Sequence, residues 1–394
     1  MILRVASLFS GCGGLDLGFE GNFTLPYRCN LPASWIEAQT QHTMKLKPTD
    51  FKTVFACDIK PSAKLAWESF FKTPNVFELE SLVTLVKQAH AGLYTFPQVD
   101  VVTGGFPCQD FSVSGKRKGF HSVRSHLNHV HQDLPTEETR GMLYYWMREA
   151  IALMNPAMFV AENVKGLVSL GDAQHIITQD FRTINGGYLV LEPKILHAAH
   201  YGVPQSRERV IFIGIRQDLL SQIQLQHLQQ GTLSLYPEAL ATEAEAFITC
   251  EKALATLEEP ALSLDPSQKA YSKAKWYGKH CQGQTEIQWR GIAPTIRSEH
   301  HGNIEFRRLS RDHGGSIDTE YHLPERRLTV RECARLQTFP DEYAFVQPGL
   351  SASEAYKLIG NAVPPLLAYH LARHLQEIWR ELNLPVVGRL KEVA

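Results

Sequence analysis

The segment Asp100-Val-Val-Thr-Gly-Gly-Phe-Pro-Cys108-Gln-Asp-Phe-Ser112 decides how the rest of the chain is interpreted. Its first half is a short apolar run that ends in two glycines, a pattern typical of a buried strand leading into a loop. Pro107 restricts the backbone directly before the cysteine. In parallel α/β sheets, the chemistry gathers at the carboxyl ends of the strands. Most free cysteines are small buried apolar residues, but this loop position favours a reactive thiol for Cys108.

The composition restricts the class of protein. The 394 residues are 44% apolar, which allows a large core and more than one domain. The formal net charge is −1, so any surface that binds nucleic acid must be local. No apolar run approaches the ~18 residues needed to cross a membrane, and we identify no signal peptide. Seven scattered cysteines, with no Cys-x-x-Cys spacing, argue against a disulfide framework or a structural zinc site and favour a reducing, cytoplasmic setting.

A glycine loop near the start of the chain predicts a cofactor site. The predicted strand from residue 3 to residue 9 runs into Ser10-Gly-Cys-Gly-Gly-Leu-Asp-Leu-Gly18, and a helix is expected to follow. Such a loop lets a ligand approach the backbone and offers helix N-terminal donors. A dinucleotide site needs glycine where Asp16 stands, and a carboxylate there would repel a pyrophosphate. The loop therefore suits a nucleoside without phosphates, such as S-adenosylmethionine, although a tight structural turn explains the glycines equally well.

An acid after the next strand would complete a nucleoside site, because it accepts hydrogen bonds from both ribose hydroxyls. Asp58 follows the predicted strand from residue 53 to residue 57 and fits that role, with helix N-capping as the alternative. It lies farther from the glycines than in ordinary α/β units, because residues 21–51 are inserted. This insertion is polar and contains prolines, so we expect a surface excursion.

Further polar groups are expected at the same edge of the sheet. Glu162 stands near the end of the predicted strand from residue 158 to residue 164, where burial would raise its pKa and make it a proton donor near neutrality. Capping of the next helix is the alternative. Arg207 and Arg209 begin a β run two residues apart, so they share one face and can hold a carboxylate and a nucleotide. Such arginines are often merely solvated, but the preceding turn at Gln205 favours a function.

Six motifs, in one order along the chain, resemble those of the DNA (cytosine-5) methyltransferases. They are Phe9-Ser-Gly-Cys-Gly-Gly14, Phe106-Pro-Cys-Gln109, Glu162-Asn-Val164, Gln205-x-Arg207-x-Arg209, Arg331-Glu-Cys-Ala-Arg-Leu336 and Gly360-Asn-Ala-Val-Pro364. The resemblance covers most of the chain except residues 216–325, where the family keeps the domain that reads the DNA sequence. The match is specific because the motifs are separate and ordered.

The resemblance implies an α/β protein with the Rossmann-like fold of S-adenosylmethionine-dependent methyltransferases. This fold has a mostly parallel sheet with helices on both faces, here with a smaller inserted target-recognition domain. We expect residues 1–225 to form the first part of the catalytic domain, 226–326 the spacer and recognition domain, and 327–394 the return to the catalytic domain with the hinge helix and the closing cofactor motif.

The inserted domain is also expected to contact DNA. It carries a set of basic and aromatic residues that suits phosphate contacts and the reading of base edges, with a solvated basic face as the alternative. The set is Lys273, Lys275, Trp276, Tyr277, Lys279, Trp289, Arg290, Arg297, Arg307 and Arg308.

The implied activity is sequence-specific DNA (cytosine-5) methylation. A methyl group passes from S-adenosylmethionine, which leaves as S-adenosylhomocysteine, to C5 of a cytosine flipped out of duplex DNA. Cys108 is expected to add to C6, because thiolate addition turns the ring into an enamine that is nucleophilic at C5. Glu162 would protonate or hydrogen-bond N3. No metal is expected.

The motifs assign the individual roles as follows. The expected catalytic residues are Cys108, Gln109, Glu162, Arg207 and Arg209. The expected cofactor contacts are Phe9, Ser10, Gly11, Cys12, Gly13, Gly14, Leu15, Asp58, Ile59, Ser81, Pro107, Asn361 and Ala362. The expected DNA contacts are Ser112, Ser114, Lys116, Arg117, Gln205, Thr295 and Arg297. The contact with the adenine amine stays open between Glu78, Glu80 and Ser81, and Ser7 stands where the family often has aspartate.

The expected partner is double-stranded DNA with a short specific site, on which a cognate restriction endonuclease also acts without needing to bind this protein. We expect a monomer in the bacterial cytoplasm, without a membrane partner. The start close to the cofactor loop favours a stand-alone bacterial enzyme. One alternative is the transfer-RNA-methylating branch of the family, whose Cys-Phe-Thr signature is absent here. Another is a non-catalytic DNA-binding relic, against which the intact Cys108, Glu162 and arginines argue.

Overall fold

A central sheet organises the protein, whose computed structural model describes residues 1–107, 142–277, 283–298, 304–316 and 323–386. Within these ranges the sheet has eight strands. They are β1 (Leu3–Leu8), β5 (Phe51–Cys57), β6 (Phe77–Glu78), β7 (Val101–Gly105), β8 (Met158–Val164), β9 (Tyr188–Val190), β10 (Lys194–His197) and β11 (Glu208–Arg216).

The strand order is β10-β11-β8-β7-β1-β5-β6, and β9 also pairs with β11. Strands β6, β5, β1, β7 and β8 form a set in which each neighbouring pair is parallel. Strand β11 runs antiparallel to β8, β9 and β10. The chain goes from β1 to β5 and β6 on one side and then returns to β7 on the other side of β1. The crevice at such a reversal is where open α/β sheets bind ligands.

The helices cover both faces of the sheet. They are α1 (Gly14–Glu20), α2 (Pro61–Phe71), α3 (Leu82–His90), α4 (Leu143–Met154), α5 (Ala173–Arg182), α6 (Gln222–Gln229), α7 (Cys250–Leu254), α8 (Pro266–Lys269), α9 (Val330–Leu336), α10 (Ala352–Asn361) and α11 (Pro365–Glu381). No helix in the described part of the chain is both long and apolar enough to cross a membrane.

Strand β7 shows why both faces need cover. Val101 and Val102 are fully buried, and their side chains point to opposite faces because strand residues alternate. Val101 lies in one hydrophobic core with Leu366 of α11, and Val102 lies in a second core with Leu85 of α3 and Met147 of α4. The expected mostly parallel sheet with helices on both faces is confirmed.

The end of the chain packs directly on its beginning. A Cβ atom at Gly18 of α1 would lie 2.3 Å from the Ala368 Cβ and 2.5 Å from the Pro365 carbonyl oxygen of α11. A Cβ atom at Gly14 would lie 2.3 Å from the Val363 carbonyl oxygen. Because only glycine permits such an approach, α1 and the first loop form one body with the segment that follows residue 360.

The insertion at residues 21–51 has more structure than a surface excursion. It forms a three-stranded antiparallel sheet, β2 (Thr24–Leu25), β4 (Met44–Leu46) and β3 (Ile36–Gln39), in that spatial order. Leu25, Met44 and Leu46 are buried in the core that contains α11. The Tyr369 hydroxyl of α11 lies 3.0 Å from the Lys47 carbonyl oxygen, to which it donates a hydrogen bond.

Buried ion pairs join a second, smaller sheet to α9. The two-stranded sheet β12 (Phe306–Arg308) and β13 (Arg326–Arg327) lies apart from the central sheet. Arg326 binds the Glu332 carboxylate of α9 at 2.7 and 2.8 Å and the Glu259 carboxylate at 3.1 Å. Arg308 binds the same Glu259 at 2.8 Å through both terminal nitrogens. These alternating charges join β12, β13 and the start of α9.

The expected DNA contacts of Arg307 and Arg308 are therefore wrong, whereas that of the partly buried Trp289 stays a prediction. Arg307 and Arg308 are buried, and the guanidinium of Arg307 lies 3.6 Å from the centre of the Trp289 ring. Their charges are paired inside the fold, Arg307 with the carboxylate of Glu332 and Arg308 with that of Glu259. The alternation of cations and aromatics in the sequence does not distinguish such an interior from a DNA-facing surface.

The Asp16 side chain is buried, whereas the sequence suggested that it faces a ligand at the glycine loop. It is only 1% exposed and accepts a hydrogen bond of 2.6 Å from the Trp67 indole nitrogen. It points into the packing between α1 and α2, so its charge does not repel a pyrophosphate at the glycine loop. Burial raises the pKa of the Asp16 carboxyl to about 7, against the effect of the neighbouring Ser7 and Trp67 donors.

We expect Asp16→Asn to remove a pH dependence of stability. Because the folded-state pKa of about 7 lies above the ordinary value of 3.8, the free energy of unfolding falls as the pH rises through these two values. Between about pH 5 and about pH 8, Asp16 should contribute about 3 kcal/mol to this loss, so the total loss should be smaller by that amount in the variant. Urea unfolding at several pH values measures this difference.

The matched control is Asp218→Asn. Arg216 lowers the pKa of the largely exposed Asp218 carboxyl, which is therefore ionised throughout this range. Its replacement should shift stability by the same amount at each pH. Equal pH slopes for the unaltered chain and for Asp16→Asn would contradict the assignment.

Candidate active site

A cavity of about 560 Å³ opens at the carboxyl edge of the central sheet, where β1, β5, β7 and β8 end. Most of the described residues that the motifs assigned line it. They are Phe9, Ser10, Gly11, Cys12, Gly14, Leu15, Asp58, Ile59, Ser81, Pro107, Glu162, Arg209, Thr295, Arg297, Asn361 and Ala362. The structure thus brings the glycine loop, Glu162 near the end of β8 and the closing motif to one space. Their contacts with a ligand stay predictions.

The glycine loop turns sharply between β1 and α1. Gly11 and Gly13 have φ values of +55° and +77°, in the left-handed region that favours glycine. The space around a Cβ atom at Gly11 is open within 4 Å, so a ligand can approach its backbone. A Cβ atom at Gly13 would instead lie 2.7 Å from the Trp67 and Phe71 rings. Gly13 therefore faces α2 and shapes the loop, rather than forming the surface of the cavity.

Asp58 links the glycine loop to the start of α2. Its Oδ2 atom accepts a hydrogen bond of 3.0 Å from the Gly11 amide, and its Oδ1 atom accepts one of 3.0 Å from the Lys60 amide. Burial raises the pKa of this carboxyl, and Lys60 and the two amides oppose the rise. A carboxylate oxygen has room for more than one donor, so Asp58 can hold the loop and still accept a ligand hydroxyl.

Of the three candidates for the contact with the adenine amine, two line the cavity. Glu80 and Ser81 line the cavity, where Ser81 is buried and precedes α3. The Glu80 Oε1 atom accepts a hydrogen bond of 2.7 Å from the Ser81 amide. The Glu78 carbonyl oxygen instead accepts from the Asp58 amide at 3.3 Å, as part of the β5–β6 pairing. Glu80 and Ser81 are the stronger candidates.

Glu162 and Arg209 form a buried ion pair at the other end of the cavity. The Arg209 Nε atom lies 2.7 Å from the Glu162 Oε1 atom, and both side chains are largely buried. Burial raises the pKa of the Glu162 carboxyl, while Arg209 and then Arg207 lower it. A Cβ atom at Gly105 would lie 2.9 Å from the Glu162 Oε2 atom. The glycine at the end of β7 therefore leaves the room that this carboxylate occupies.

Asn163 fixes the approach to the predicted nucleophile. Its side-chain amide donates a hydrogen bond of 3.0 Å to the Phe106 carbonyl oxygen, which ties the end of β8 to the loop after β7. Pro107, the next residue, lines the cavity. Cys108 and Gln109 lie outside the described residues, as do the expected DNA contacts Ser112, Ser114, Lys116 and Arg117. Their roles stay predictions.

The two arginines that were expected to act in catalysis have different partners. Arg209 reaches Glu162, but the fully buried Arg207 guanidinium donates to the carbonyl oxygens of Ile296 at 2.8 Å, Gly360 at 2.9 Å and Ala362 at 2.8 Å. The expectation that both arginines act in catalysis therefore needs correction. Residue 207 precedes β11, where the alternation of a strand does not yet apply, so its side chain takes a separate course. Arg207 is a positioning residue.

Gln205 also differs from its expected role as a DNA contact. Its side chain is fully buried; its amide donates to the Gln337 Oε1 atom at 2.6 Å and to the Leu336 carbonyl oxygen at 3.2 Å. Its oxygen accepts from the Ile296 amide at 2.9 Å. Both the nitrogen and the oxygen of this side-chain amide are thus hydrogen-bonded to buried groups of the protein. Gln205 holds the backbone between Thr295 and Arg297, and it does not face DNA.

Thr295 and Arg297 flank that anchored position and line the cavity. The Thr295 hydroxyl donates to the Ser206 carbonyl oxygen. The neighbouring backbone pairs with the same loop, because the Ser206 amide donates to the Ala293 carbonyl oxygen at 2.7 Å. This segment is therefore fixed against the loop before β11 and forms one wall of the cavity.

Sequence reasoning missed three positions that shape the site: Asn163, Gln337 and Gly105. Gln337 donates to the carbonyl oxygens of Ile359 at 2.7 Å and Ala362 at 3.0 Å, which holds the closing motif in place. A polar residue inside an otherwise apolar strand or at the end of a buried helix was the available signal for Asn163 and Gln337. Gly105 had a weaker signal, since a second glycine after a strand also occurs in ordinary turns.

A search of the described residues finds no group of three or more histidine, cysteine, aspartate or glutamate side chains that could hold a metal ion. The expectation that the reaction uses no metal stays a prediction.

Comparisons with known proteins agree with the geometry. The profile of the family described as "C-5 cytosine-specific DNA methylase" matches residues 3–377. The chain is 31% identical over 391 residues to Type II methyltransferase M.BspRI of Lysinibacillus sphaericus, covering 95% of this chain and 81% of that protein. It is 32% identical over 409 residues to Type II methyltransferase M.Eco47II of Escherichia coli, covering 97% and 81%.

Solved structures support the fold. The Entamoeba histolytica methyltransferase EhMeth has a TM-score of 0.60 at 14% identity, covering 97% of this chain and 99% of that chain. The S. pombe Dnmt2 methyltransferase has a TM-score of 0.57 at 18% identity, covering 97% and 100%. At this identity the likeness concerns the fold. The family profile over almost the whole chain, with the cavity that joins its motifs, shows that the chain belongs to the C-5 cytosine-specific DNA methylases.

Proposed function

We propose that the protein binds S-adenosylmethionine in the cavity and methylates C5 of a cytosine extruded from a specific site in duplex DNA. DNA (cytosine-5) methylation is the activity of its family. The observation that carries the site-level proposal is the continuity of the cavity. The glycine loop and Asp58 lie at one end, and the Glu162–Arg209 pair lies at the other.

The cofactor end suits a nucleoside. When bound, S-adenosylmethionine supplies an electrophilic methyl group. Gly11 exposes its backbone, Asp58 accepts from ribose hydroxyls, and the half-exposed Ile59 offers an apolar face to the adenine. Asn361 and Ala362 form the opposite wall, which Arg207 holds through the Ala362 carbonyl oxygen. The volume of about 560 Å³ lies within the usual range for small-molecule sites.

The other end suits the edge of a pyrimidine. Arg209 holds one oxygen of Glu162 and fixes the carboxyl plane, while the second oxygen lies beside Gly105. Burial favours the protonated form of this carboxyl, so it can donate to N3 as negative charge develops on the ring. Arg209 stabilises the carboxylate and so limits the rise in the pKa of Glu162.

Cys108 is the proposed nucleophile, since it follows Pro107 at the wall of the same cavity. Its thiolate bonds to C6, and the resulting enamine makes C5 nucleophilic. After the methyl group has bonded to C5, loss of the C5 proton and elimination of the sulfur restore the aromatic ring and the free thiolate. Water is the proposed acceptor of that proton. The target base must leave the helix, because these ring atoms are inaccessible within a duplex.

The inserted segment is the proposed recognition domain, with residues 226–326 between catalytic parts 1–225 and 327–394. The named relatives are Type II methyltransferases from bacteria. By analogy, we propose that this protein acts as a monomer in the bacterial cytoplasm. There it would protect host DNA at the site that a cognate restriction endonuclease cuts.

The first test asks which nucleic acid receives the methyl group. With labelled S-adenosylmethionine, the label should enter duplex DNA and not transfer RNA. Bisulfite sequencing of a plasmid from cells that express the protein should then show 5-methylcytosine at one short sequence. Label in transfer RNA alone would contradict the proposal and favour the RNA-methylating branch.

The second test concerns Glu162. Glu162→Gln keeps the shape but removes the transferable proton, so the single-turnover rate of methylation should fall by roughly 10²- to 10⁴-fold. Glu208→Gln is the matched control, because Glu208 forms an exposed pair with Lys165 one residue from Arg209. The control should stay close to the unaltered rate. An equal loss in both variants would indicate a structural effect and argue against the acid role.

The third test concerns the covalent step. Fluorine at C5 cannot leave as a proton, so DNA containing 5-fluorocytosine should trap the protein as an adduct that survives denaturation. Cys108→Ser should abolish the adduct, whereas Cys250→Ser, at a buried cysteine of α7, should retain it. Mass spectrometry locates the modified residue. An adduct that persists in Cys108→Ser would reject the assigned nucleophile.

A further inference from the structure

The structure divides the cations and aromatics of the inserted segment into inward and outward groups. Arg307 and Arg308 are buried against acids, as described above. In contrast, Trp276 is 66% exposed, and Lys273 and Lys275 beside it are exposed as well. A large exposed indole is uncommon without a partner, because most of its surface is apolar.

The backbone under this indole is held firmly. Arg327 is only 1% exposed and donates to the carbonyl oxygens of Ala274 and Trp276, each at 2.9 Å. The same guanidinium donates to the Gly283 carbonyl oxygen at 2.5 Å and to that of Ile304. One buried cation thus fixes the backbone on both sides of Lys275. The side chains of residues 275 and 276 remain directed outward.

A stack of rings supports Arg327 from the opposite side. Its guanidinium lies 4.0 Å from the centre of the Phe306 ring. The Tyr277 ring stacks on Phe306 at 5.6 Å and on His313 at 3.6 Å. His313 is in turn 2.8 Å from the Glu325 carboxylate. Because Tyr277 is the neighbour of Trp276, this stack further fixes the backbone that carries the exposed indole, and such preorganisation reduces the entropy lost on binding.

The exposed indole lies within reach of the same DNA segment as the cavity. Arg327 holds Ile304, which is six residues after Ser298 at the cavity wall. Six residues span at most about 21 Å, and one turn of duplex DNA measures about 34 Å. Since the Arg327 guanidinium joins Ile304 to Trp276, the backbone of Trp276 lies within roughly one turn of duplex DNA from Ser298.

We infer that Trp276 contacts base edges or sugars in a groove of the DNA beside the target cytosine, with Lys273 and Lys275 on the adjacent phosphates and Arg327 as the positioning residue. The inference rests on the proposed function and specifies part of the recognition surface. The chemistry fits because an amphipathic ring reads groove surface, while lysines contribute attraction that is independent of sequence.

Fluorescence quenching tests the contact directly. Acrylamide should quench Trp276 strongly in the free protein, and saturating duplex DNA containing the modified site should protect it. The protected component should be absent in Trp276→Phe, which separates this indole from the other five tryptophans. Quenching that DNA does not change in a protein that still methylates this DNA would overturn the inference. Protection that appears only with increasing protein concentration would also overturn it and indicate a second copy as the partner.

Kinetics provide the second readout. Trp276→Ala should lower kcat/KM at the modified site by roughly tenfold to a hundredfold and reduce discrimination against sites with one changed base pair. Lys273→Ala with Lys275→Ala should weaken binding to all sequences alike and reduce the slope of log affinity against log salt by about 2. Ile223→Ala, on α6, is the matched control because Ile223 is also 66% exposed. It should change none of these quantities.

The outcomes separate the inference from the proposed function. If the unaltered protein transfers no label to DNA, the proposed function fails. If it methylates DNA and Trp276→Ala keeps both rate and discrimination, only the inference fails. Arg327→Lys should reproduce the loss of discrimination of Trp276→Ala. If Arg327→Lys does not fold, the Trp276 variants alone decide the result.

Discussion

The site depends on one buried guanidinium, that of Arg207. It gathers carbonyl oxygens from Ile296 and from Gly360 and Ala362, which belong to two segments that are far apart in the chain and together form a wall of the cavity. A buried cation without acceptors is strongly destabilising. Moving either segment away from Arg207 would therefore cost free energy. Gln205 and Gln337 strengthen the same junction through amides whose partners are all in the interior. The shape of the site is thus set by polar groups that do not themselves line the cavity.

The chemistry at Glu162 results from opposing effects. Burial favours the neutral acid, and Arg209 favours the carboxylate. The raised pKa of Glu162 is the result of both effects, with burial the larger and Arg209 opposing it. The strand pairing sets the balance, because β11 runs antiparallel to β8 and places Arg209 opposite Val164, two residues from Glu162. A fold that was needed to bury an apolar sheet also determines the acidity of its catalytic edge.

Much of this arrangement could be predicted from sequence, for a physical reason. Motifs at the ends of apolar strands predicted the parallel sheet and the group of residues around the cavity, because strand ends meet at one edge. The sequence could not distinguish Arg207 from Arg209, since a spacing of two implies a shared face only inside a strand. Asp16, Gln205, Arg307 and Arg308 were misplaced for a related reason. A polar side chain is satisfied equally well by water, by DNA or by buried partners, and only the packing decides among them.

The close contact at Gly360 has a consequence for how the protein can diversify. A Cβ atom there would lie 2.1 Å from the main chain of Arg297, so the closing motif and the segment around Arg297 are in direct backbone contact. No side chain is available at this junction to absorb a change in length or direction. Under the proposed function, we therefore expect changes of target specificity to fall in parts of residues 226–326 away from this contact, where the chain length can vary without moving Gly360.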